Sequence, residues 1–390
     1  MKAEFQPRHG DYARVPLGSV TEIIMGQAPP GSDCNKEGRG TVFVKAGEFD
    51  DRFPLICEWT TRPLKLARAG DVLVCVVGAT AGKINEAIDC AIGRSVASVR
   101  PLEDVSSGFL YHFLSTRVQF LRAKSQGLAQ GVITREMLQQ LEFPLPPLAE
   151  QRRIAEVLDR ADALRAKRRA ALAQLDSLTQ SIFLDLFGDP ARNTKGWPVS
   201  GIEDVCELIV DCVNRTAPIV DGPTPFKMIR TTNVKAGKVN LGEVRHVTEE
   251  VFNRWNRRAT PRRGDVLLTR EAPVGEAGMI ESDDCVFLGQ RLMLYRANRE
   301  RMTPEYLLAS FRGAFFQHQF NRYGSGSTVK HLPLPACRRF QVYVPPIDLQ
   351  REFSRRVEAM EKLKRAQRAS LAQLDALFAS LQHRAFRGEL

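Results

Sequence analysis

Gly78-Ala79-Thr80-Ala81-Gly82-Lys83 follows a strand-like run, and its residue types approach a loop that cradles nucleotide phosphates. Such a loop needs four residues between its glycines, and a Ser or Thr after the lysine to hold magnesium. Here three residues separate the glycines and Ile84 takes the Ser/Thr place. The matching stretch Val274-Gly275-Glu276 has no lysine at all. A tight strand-to-strand turn that uses glycine's backbone freedom accounts for the same residues, and no nucleotide site is expected. The Pro-Pro pairs at 29–30, 146–147 and 345–346 lack the flanks of an amino-methyltransferase motif (Asn, Asp or Ser before, an aromatic after). No G-x-G-x-x-G cofactor loop occurs. The histidines (His9, His112, His246, His318, His331, His383) form no triad or ligand spacing. His112 and His318 fall on amphipathic stretches and read as packing or surface residues. The cysteines (Cys34, Cys57, Cys75, Cys90, Cys206, Cys212, Cys285, Cys337) make no C-x-x-C pair. No metal site is expected from them, and a reducing cytoplasm suits them. Catalysis by this chain alone is therefore not expected.

Charge points elsewhere. A net charge of +11 and a pI near 9.4 favour a polyanionic partner, DNA or RNA. A soluble basic protein without a nucleic-acid role would carry the same charge. The start, MKAEFQPRHG, has no apolar core of a signal peptide, and no run of about 18 apolar residues occurs. A cytoplasmic protein is expected.

The elements that must position any binding residues come in two copies. Pro146-Pro147-Leu148-Ala149-Glu150-Gln151-Arg152 recurs as Pro345-Pro346-Ile347-Asp348-Leu349-Gln350-Arg351. Leu172-Ala173-Gln174-Leu175-Asp176 recurs as Leu371-Ala372-Gln373-Leu374-Asp375. Both pairs lie 199 positions apart. Gly70-Asp71-Val72-Leu73 recurs as Gly264-Asp265-Val266-Leu267, now 194 apart. One part of the repeat is rigid in length and the other varies.

A buried strand is expected over Val72–Val77, with Cys75 as a buried thiol. Residues 108–122 carry apolar groups at helical spacing, and Thr303-Pro304-Glu305 starts the matching helix of the second copy. The mixture predicts α/β (α+β) globular regions at 1–147 and 191–346. Between and after them, 148–190 and 347–390 predict long helices, the first running 148–187 over about 60 Å. Two heptad tracks run along each helix. On the first they are Ile154, Ala161, Arg168, Leu175, Ile182 and Val157, Leu164, Ala171, Leu178. On the second they are Phe353, Met360, Gln367, Leu374, Leu381 and Leu363, Leu377. Both weaken at mid-length. Such helices need partners. Antiparallel pairing with each other, as a coiled coil, is favoured over two coiled coils made with other chains. Ile154, Leu158, Leu164, Leu175, Leu178, Phe353, Met360, Leu363, Leu374 and Leu377 are expected to carry pairing and partner docking. The mid-helix runs Arg165–Arg169 and Lys362–Arg365 read first as a solvated face, and otherwise as contacts to DNA phosphates.

The run Pro144-Leu145-Pro146-Pro147-Leu148-Ala149-Glu150-Gln151 opening a long helix, the twofold repeat, the Gly-Asp-Val-Leu strands and the Gly82-Lys83 turn carry a resemblance. The chain resembles, over essentially its whole length, the specificity (S) subunit of type I restriction–modification systems. The second copy departs by placing Leu349 where the glutamate belongs. The resemblance implies two target recognition domains, each reading one half of a split, asymmetric double-stranded DNA site. It implies that the helices act as a spacer and dock methyltransferase subunits, two per chain, with restriction subunits joining where present. It places the chemistry on those partners: adenine N6 methylation with S-adenosylmethionine, and ATP- and Mg-dependent translocation and cleavage. No cofactor is expected on this chain. An orphan subunit that only directs methylation would have the same sequence features. A single-chain methyltransferase or nuclease, and a coiled-coil scaffold with incidental charge, are the competing readings.

Phosphate contacts are expected from basic and small polar groups on loops, and base contacts from Arg, Lys, Asn and Gln. Four places stand out. The turn after the Gly-Asp-Val-Leu strand offers Lys83, answered by Arg270. Gly93-Arg94 is answered by Gly289-Gln290-Arg291. A Gly-rich stretch with Gln130, Thr134 and Arg135 is answered by Ser327, Thr328 and Lys330, and has the form that seats phosphate. The fourth, in the second copy, holds Arg230, Thr231 and Asn233. A turn or a surface salt bridge is the alternative at each.

Overall fold

The computed structural model describes residues 12–126, 131–324 and 331–390. It divides into two compact units, Met1–Ala170 with Arg368–Leu390 (unit 1) and Ala171–Gln367 (unit 2). Both cuts fall inside long helices rather than at their ends.

Unit 1 contains β1 (Thr21–Met25), β2 (Thr41–Val44), β3 (Val72–Cys75), β4 (Ile84–Glu86), β5 (Cys90–Ile92) and β6 (Val96–Pro101). Strands β1, β6, β3 and β4, in that order, form an antiparallel sheet, while β2 and β5 pair in parallel within a second sheet. The expected strand stops at Cys75. Its apolar run is continuous because both faces are buried. Val72 and Val74 join the core of Phe109, Phe113 and Phe143, while Leu73 and Cys75 join a cluster with Val44 and Ile92.

The helices are α1 (Ser107–Thr116), α2 (Val118–Gln126), α3 (Arg135–Gln139) and α4 (Leu148–Phe187). The stretch 108–122 is thus two helices, broken at Arg117. Ser115 and Thr116 hydroxyls donate back to the Tyr111 and Phe113 carbonyls at 2.8 and 2.7 Å, competing with the main-chain ladder at the break.

Unit 2 repeats the plan with β7 (Cys206–Asp211), β8 (Lys227–Ile229), β9 (Val266–Thr269), β10 (Ala277–Met279), β11 (Val286–Leu288) and β12 (Leu292–Ala297). Its sheet runs β7, β12, β9, β10 and adds two short strands beyond β10; β8 and β11 are parallel. Helices α5 (Pro304–Arg312), α6 (Ala314–Tyr323), α7 (Leu334–Arg338) and α8 (Ile347–Ala385) follow. Thr303 caps α5 by accepting from the Tyr306 N–H at 3.3 Å, the start its sequence announces.

Two buried polar devices explain the repeated motifs. In Gly-Asp-Val-Leu the glycine turns the chain, at φ +94° for Gly70 and +92° for Gly264. The buried aspartate then anchors it. Asp71 accepts from Arg68 N (3.0 Å), Ser98 Oγ (2.8 Å) and the Arg100 guanidinium (2.9 and 3.0 Å). Asp265 accepts from Arg262 N (2.9 Å) and the Arg296 guanidinium (2.7 and 2.8 Å). In the Pro-Pro motif the glutamine is fully buried. Gln151 donates to the Asp104 and Pro146 carbonyls and accepts from Ser106 N, at 2.8–2.9 Å. Gln350 does the same with Arg301, Pro345 and Thr303 at 2.8–3.1 Å. Each amide ties the start of a long helix to the start of α1 or α5.

The long helices run antiparallel within each unit. In unit 1, Arg153 donates to the Leu390 carbonyl (2.8 Å) and Arg165 to Asp375 (2.6 Å). In unit 2, Lys364 holds Asp176 (2.9 Å), and Phe187 lies 5.4 Å from Phe353. Only some of the expected residues close this seam. Ile154, Leu158 and Phe353 are buried, and Leu175, Met360 and Leu374 are half-buried. Leu164, Leu178, Leu363 and Leu377 are 44–53% exposed, which corrects their assignment to helix pairing. Two helices share one stripe, so the second track is left outside it. The solvated face expected for the mid-helix basic runs also needs correction: Arg165 and Lys364 turn into the seam, with side chains 16% and 6% exposed.

One acid–base contact in unit 1 makes a pH prediction. Asp159 on α4 meets Arg52 Nη1 and His112 Nε2, each at 2.9 Å, and His112 is buried. Burial pushes the Asp159 carboxyl up, but the hydrogen bonds from His112 and Arg52 outweigh it and hold it below the usual carboxylate range. A depressed folded-state pKa contributes stability above the unfolded value, about 4, and loses it as pH falls through the folded one. Asp159→Asn should therefore destabilise unit 1 at pH 6 and lose less on acidification to pH ~3 than the parent. Urea midpoints across that range check this; parallel curves for the two proteins would refute it.

Candidate nucleic-acid interface

In each unit the turns that leave the strands gather with the segment preceding the short helix. In unit 1, Gly93 N donates to Val44 O (2.9 Å), joining the turns after β2 and β5. Val76 N donates to Ser95 O (2.8 Å), and Ile133 N to Val76 O (2.9 Å). Gly26 crosses the same turn so closely that a Cβ there would meet Gly93 O at 2.2 Å, so no side chain fits. In unit 2, Gly289 N donates to Ile229 O (2.7 Å), Arg270 N to Arg291 O (2.8 Å) and Leu332 N to Arg270 O (3.0 Å). Thr231 Oγ1 adds a bond to Ala272 O at 3.3 Å. The described turns among the places singled out in the sequence thus converge on one loop cluster per unit, Arg135 excepted.

Within these clusters the named side chains differ in what they can do. Lys83 Nζ donates to the Phe49 carbonyl at 2.6 Å and is occupied inside the unit. Thr134 caps α3, accepting from Met137 N at 3.3 Å. Asn233 is buried, accepts from Arg230 N and donates to Glu243 O, closing its own turn. Arg270 Nε donates to Leu332 O at 2.9 Å. These four shape the loops. Arg94 is exposed at its turn. Arg291, at φ +68°, is half-exposed, and its guanidinium pairs with the Glu271 carboxylate at 2.9 Å. Arg230 is half-buried, and its Nε has no hydrogen-bond partner among the described residues. Arg135 stands apart, in a 490 Å³ cleft along the open edge of β1 with Lys65 and Gln139. Gln130, Ser327, Thr328 and Lys330 lie outside the described residues.

Lys45 was not singled out by its sequence. It follows β2 as Arg230 follows β8, in Phe43-Val44-Lys45-x-x-Glu48 against Met228-Ile229-Arg230-x-x-Asn233. That match is offset by 185 positions rather than 194 or 199, which hides it. Its ammonium pairs with Glu58, a hydrogen bond that holds it above the ordinary lysine range. The clusters therefore combine guanidinium and ammonium groups with turns and backbone amides. That is equipment for seating an anion and reading polar edges.

Residues 10–174 and 194–374 each match the family model described as the type I restriction modification DNA specificity domain. The chain belongs to this family. Membership gives it a DNA-recognition role rather than a catalytic one. The EcoBI specificity subunit of Escherichia coli is 24% identical over 428 residues, covering 98% of this chain and 87% of that protein. The MjaX specificity subunit of Methanocaldococcus jannaschii is 34% identical over 190 residues. That alignment takes in 46% of this chain and 44% of the relative, so this chain spans less than half of it. The crystal structure of a type I S subunit from M. genitalium covers 99% of the chain at a TM-score of 0.61 and 14% identity. A structure from a study of type I system assembly covers 99% at 0.56 and 19% identity. These share the fold. No described helix is long and apolar enough to cross a membrane.

Proposed function

We propose that this chain is the DNA-specificity subunit of a type I restriction–modification complex, and that each loop cluster reads one half of a split double-stranded site. The observation that carries this is a duplicated frame with unlike side chains at equivalent turns. Lys45 stands where Arg230 does, and Arg94 answers Gln290-Arg291. Equal frames with unequal loops suit two different half-sites, hence a target that is not a palindrome. Arg94 and Arg291 are the exposed contacts of the clusters, and Arg230 brings a half-buried guanidinium to the same turns. Lys83, Thr134, Asn233 and Arg270 hold the loops in shape. Arg135 contacts DNA from the cleft beside β1.

The long helices set the unread length between half-sites and dock the partners. The exposed leucines support the docking: Leu164 and Leu363, and Leu178 and Leu377, are 199 positions apart, so the same apolar surface occurs twice. Two copies of one methyltransferase subunit fit that duplication. Those subunits supply adenine N6 methylation from S-adenosylmethionine, and restriction subunits, where present, supply ATP- and Mg-dependent cleavage. The methylome of the host with and without this gene tests the reading. A split N6-methyladenine motif should vanish on deletion and return on complementation. An unchanged set of motifs would refute the assignment.

A further inference from the structure

Two ion pairs in the helix seam have a shared logic. Arg165 holds Asp375 and, one turn back on its own helix, Asp162, each at 2.6 Å, and its guanidinium lies 4.3 Å from the Phe378 ring centre. Lys364 holds Asp176 at 2.9 Å, Glu361 at 3.2 Å and the Thr179 hydroxyl at 3.4 Å. Arg165 and Lys364 are 199 positions apart, as are Asp162 and Glu361, and Asp176 and Asp375. Each ion pair is therefore the repeat image of the other, with its basic and acidic halves drawn from opposite copies.

The pairs sit where apolar packing is weakest, near Arg168, Ala171 and Gln367. A heptad seam repeats every seven residues, so apolar contacts alone discriminate poorly between registers one heptad, about 10 Å, apart. The charges do discriminate. Slipping one heptad one way would set Arg165 against Arg368 and Lys364 against Arg169. Slipping the other way would set them against Gln382 and Phe183. A parallel alignment of equivalent positions would oppose Arg165 to Lys364 and Asp176 to Asp375. In each wrong arrangement these largely buried cations keep only the carboxylate of their own helix, Asp162 or Glu361, and lose the one across the seam, so each is penalised. The aromatic groups at the helix ends, Phe187 and Phe386, hold the ends; the ion pairs hold the middle.

We propose that Arg165–Asp375 and Lys364–Asp176 are positioning pairs that fix helix orientation and register, and through them the length of DNA accepted between the half-sites. The proposal rests on the specificity-subunit reading. Its test uses the full chain assembled with its methyltransferase subunits. The substrates are duplexes with constant half-sites and spacers of the native length, one base pair shorter and one longer. In Asp176→Lys/Asp375→Lys, preference for the native spacer should fall about tenfold, the change that ~1.4 kcal/mol produces. Asp176→Asn/Asp375→Asn should show a smaller loss and serves if the reversal fails to fold. Asp176→Glu/Asp375→Glu should restore the parent's preference. Uniformly slower methylation at all spacers, with preference intact, would mean that the pairs only stabilise, and would overturn the proposal. A parent complex that methylates no split site would instead sink the specificity-subunit reading. Amide exchange of the chain alone then still reads the seam. The register role requires faster exchange at 161–180 and 360–375 in the lysine variant, and unchanged exchange overturns it.

Discussion

Asp265→Ala should cost unit 2 about 3–5 kcal/mol, the penalty for breaking a buried ion pair from one side. Asp265 is 1% exposed and takes both the Nε and Nη2 donors of Arg296. Its hydrogen bond is the largest influence holding the Arg296 guanidinium above its ordinary pKa. Alanine leaves that cation partly buried, with the Thr260 carbonyl as its remaining hydrogen-bond acceptor among the described residues. It also removes the acceptor for Arg262 N at the turn that starts β9, so the strand end frays as well. The loss should be local. Trp59 lies in unit 1, while Trp197 and Trp255 lie in unit 2. In a Trp59→Phe background, urea unfolding followed by fluorescence therefore reports unit 2. The midpoint should drop there, while a background keeping only Trp59 should show little change. A loss below about 1 kcal/mol would mean that the pair is a replaceable surface contact.

That aspartate also shows how far the sequence reaches. Gly-Asp-Val-Leu is legible as a turn entering a buried strand, because glycine and a run of apolar residues report on local conformation. The role of the aspartate is not legible, because its partner arginine lies 31 residues away and only strand pairing brings them together. The two long helices are legible for the same local reason, through their period. Which of two similar heptad tracks closes the seam is not, and the exposed Leu164 and Leu377 show the ambiguity resolved by tertiary packing. Gln151 and Gln350 stand out as a repeated motif, yet their three-bond amide locks depend on loops some 45 residues upstream. At the candidate interface the turns at Gly93-Arg94, Arg270 and Gly289–Arg291 are legible from Gly and basic residues, while the turn carrying Lys45 is not. The direction of each side chain was not: Lys83 turns inward to Phe49 O, and Arg94 does not.

Phe386→Ala, a change four residues before the last of the sequence, should destabilise the unit built mostly from its beginning. Phe386 is 6% exposed and packs 5.2 Å from Phe109 and 5.7 Å from Phe113, among the largest buried side chains of unit 1. Its carbonyl also accepts from Arg14 Nη2 at 3.3 Å. Truncating a buried phenylalanine costs about 3–5 kcal/mol when the surroundings cannot collapse. Phe187 is its image 199 positions earlier and fills unit 2, 4.6 Å from Tyr306. The two alanine variants should therefore give mirror-image results in native-state hydrogen exchange. Phe386→Ala should strip protection from β3 and α1 and spare β9 and α5, and Phe187→Ala should do the reverse. Loss of protection confined to the last turns of α8, with β3 and α1 untouched, would show that Phe386 covers unit 1 without supporting it. The mirror outcome follows from the chain path, since α4 begins in unit 1 and supplies Phe187 to unit 2, while α8 begins in unit 2 and delivers Phe386, the residue just past its end, to unit 1. Neither globular region then has a complete core without the end of a helix that started elsewhere, so truncating either helix should unfold the unit it ends in before the one it leaves.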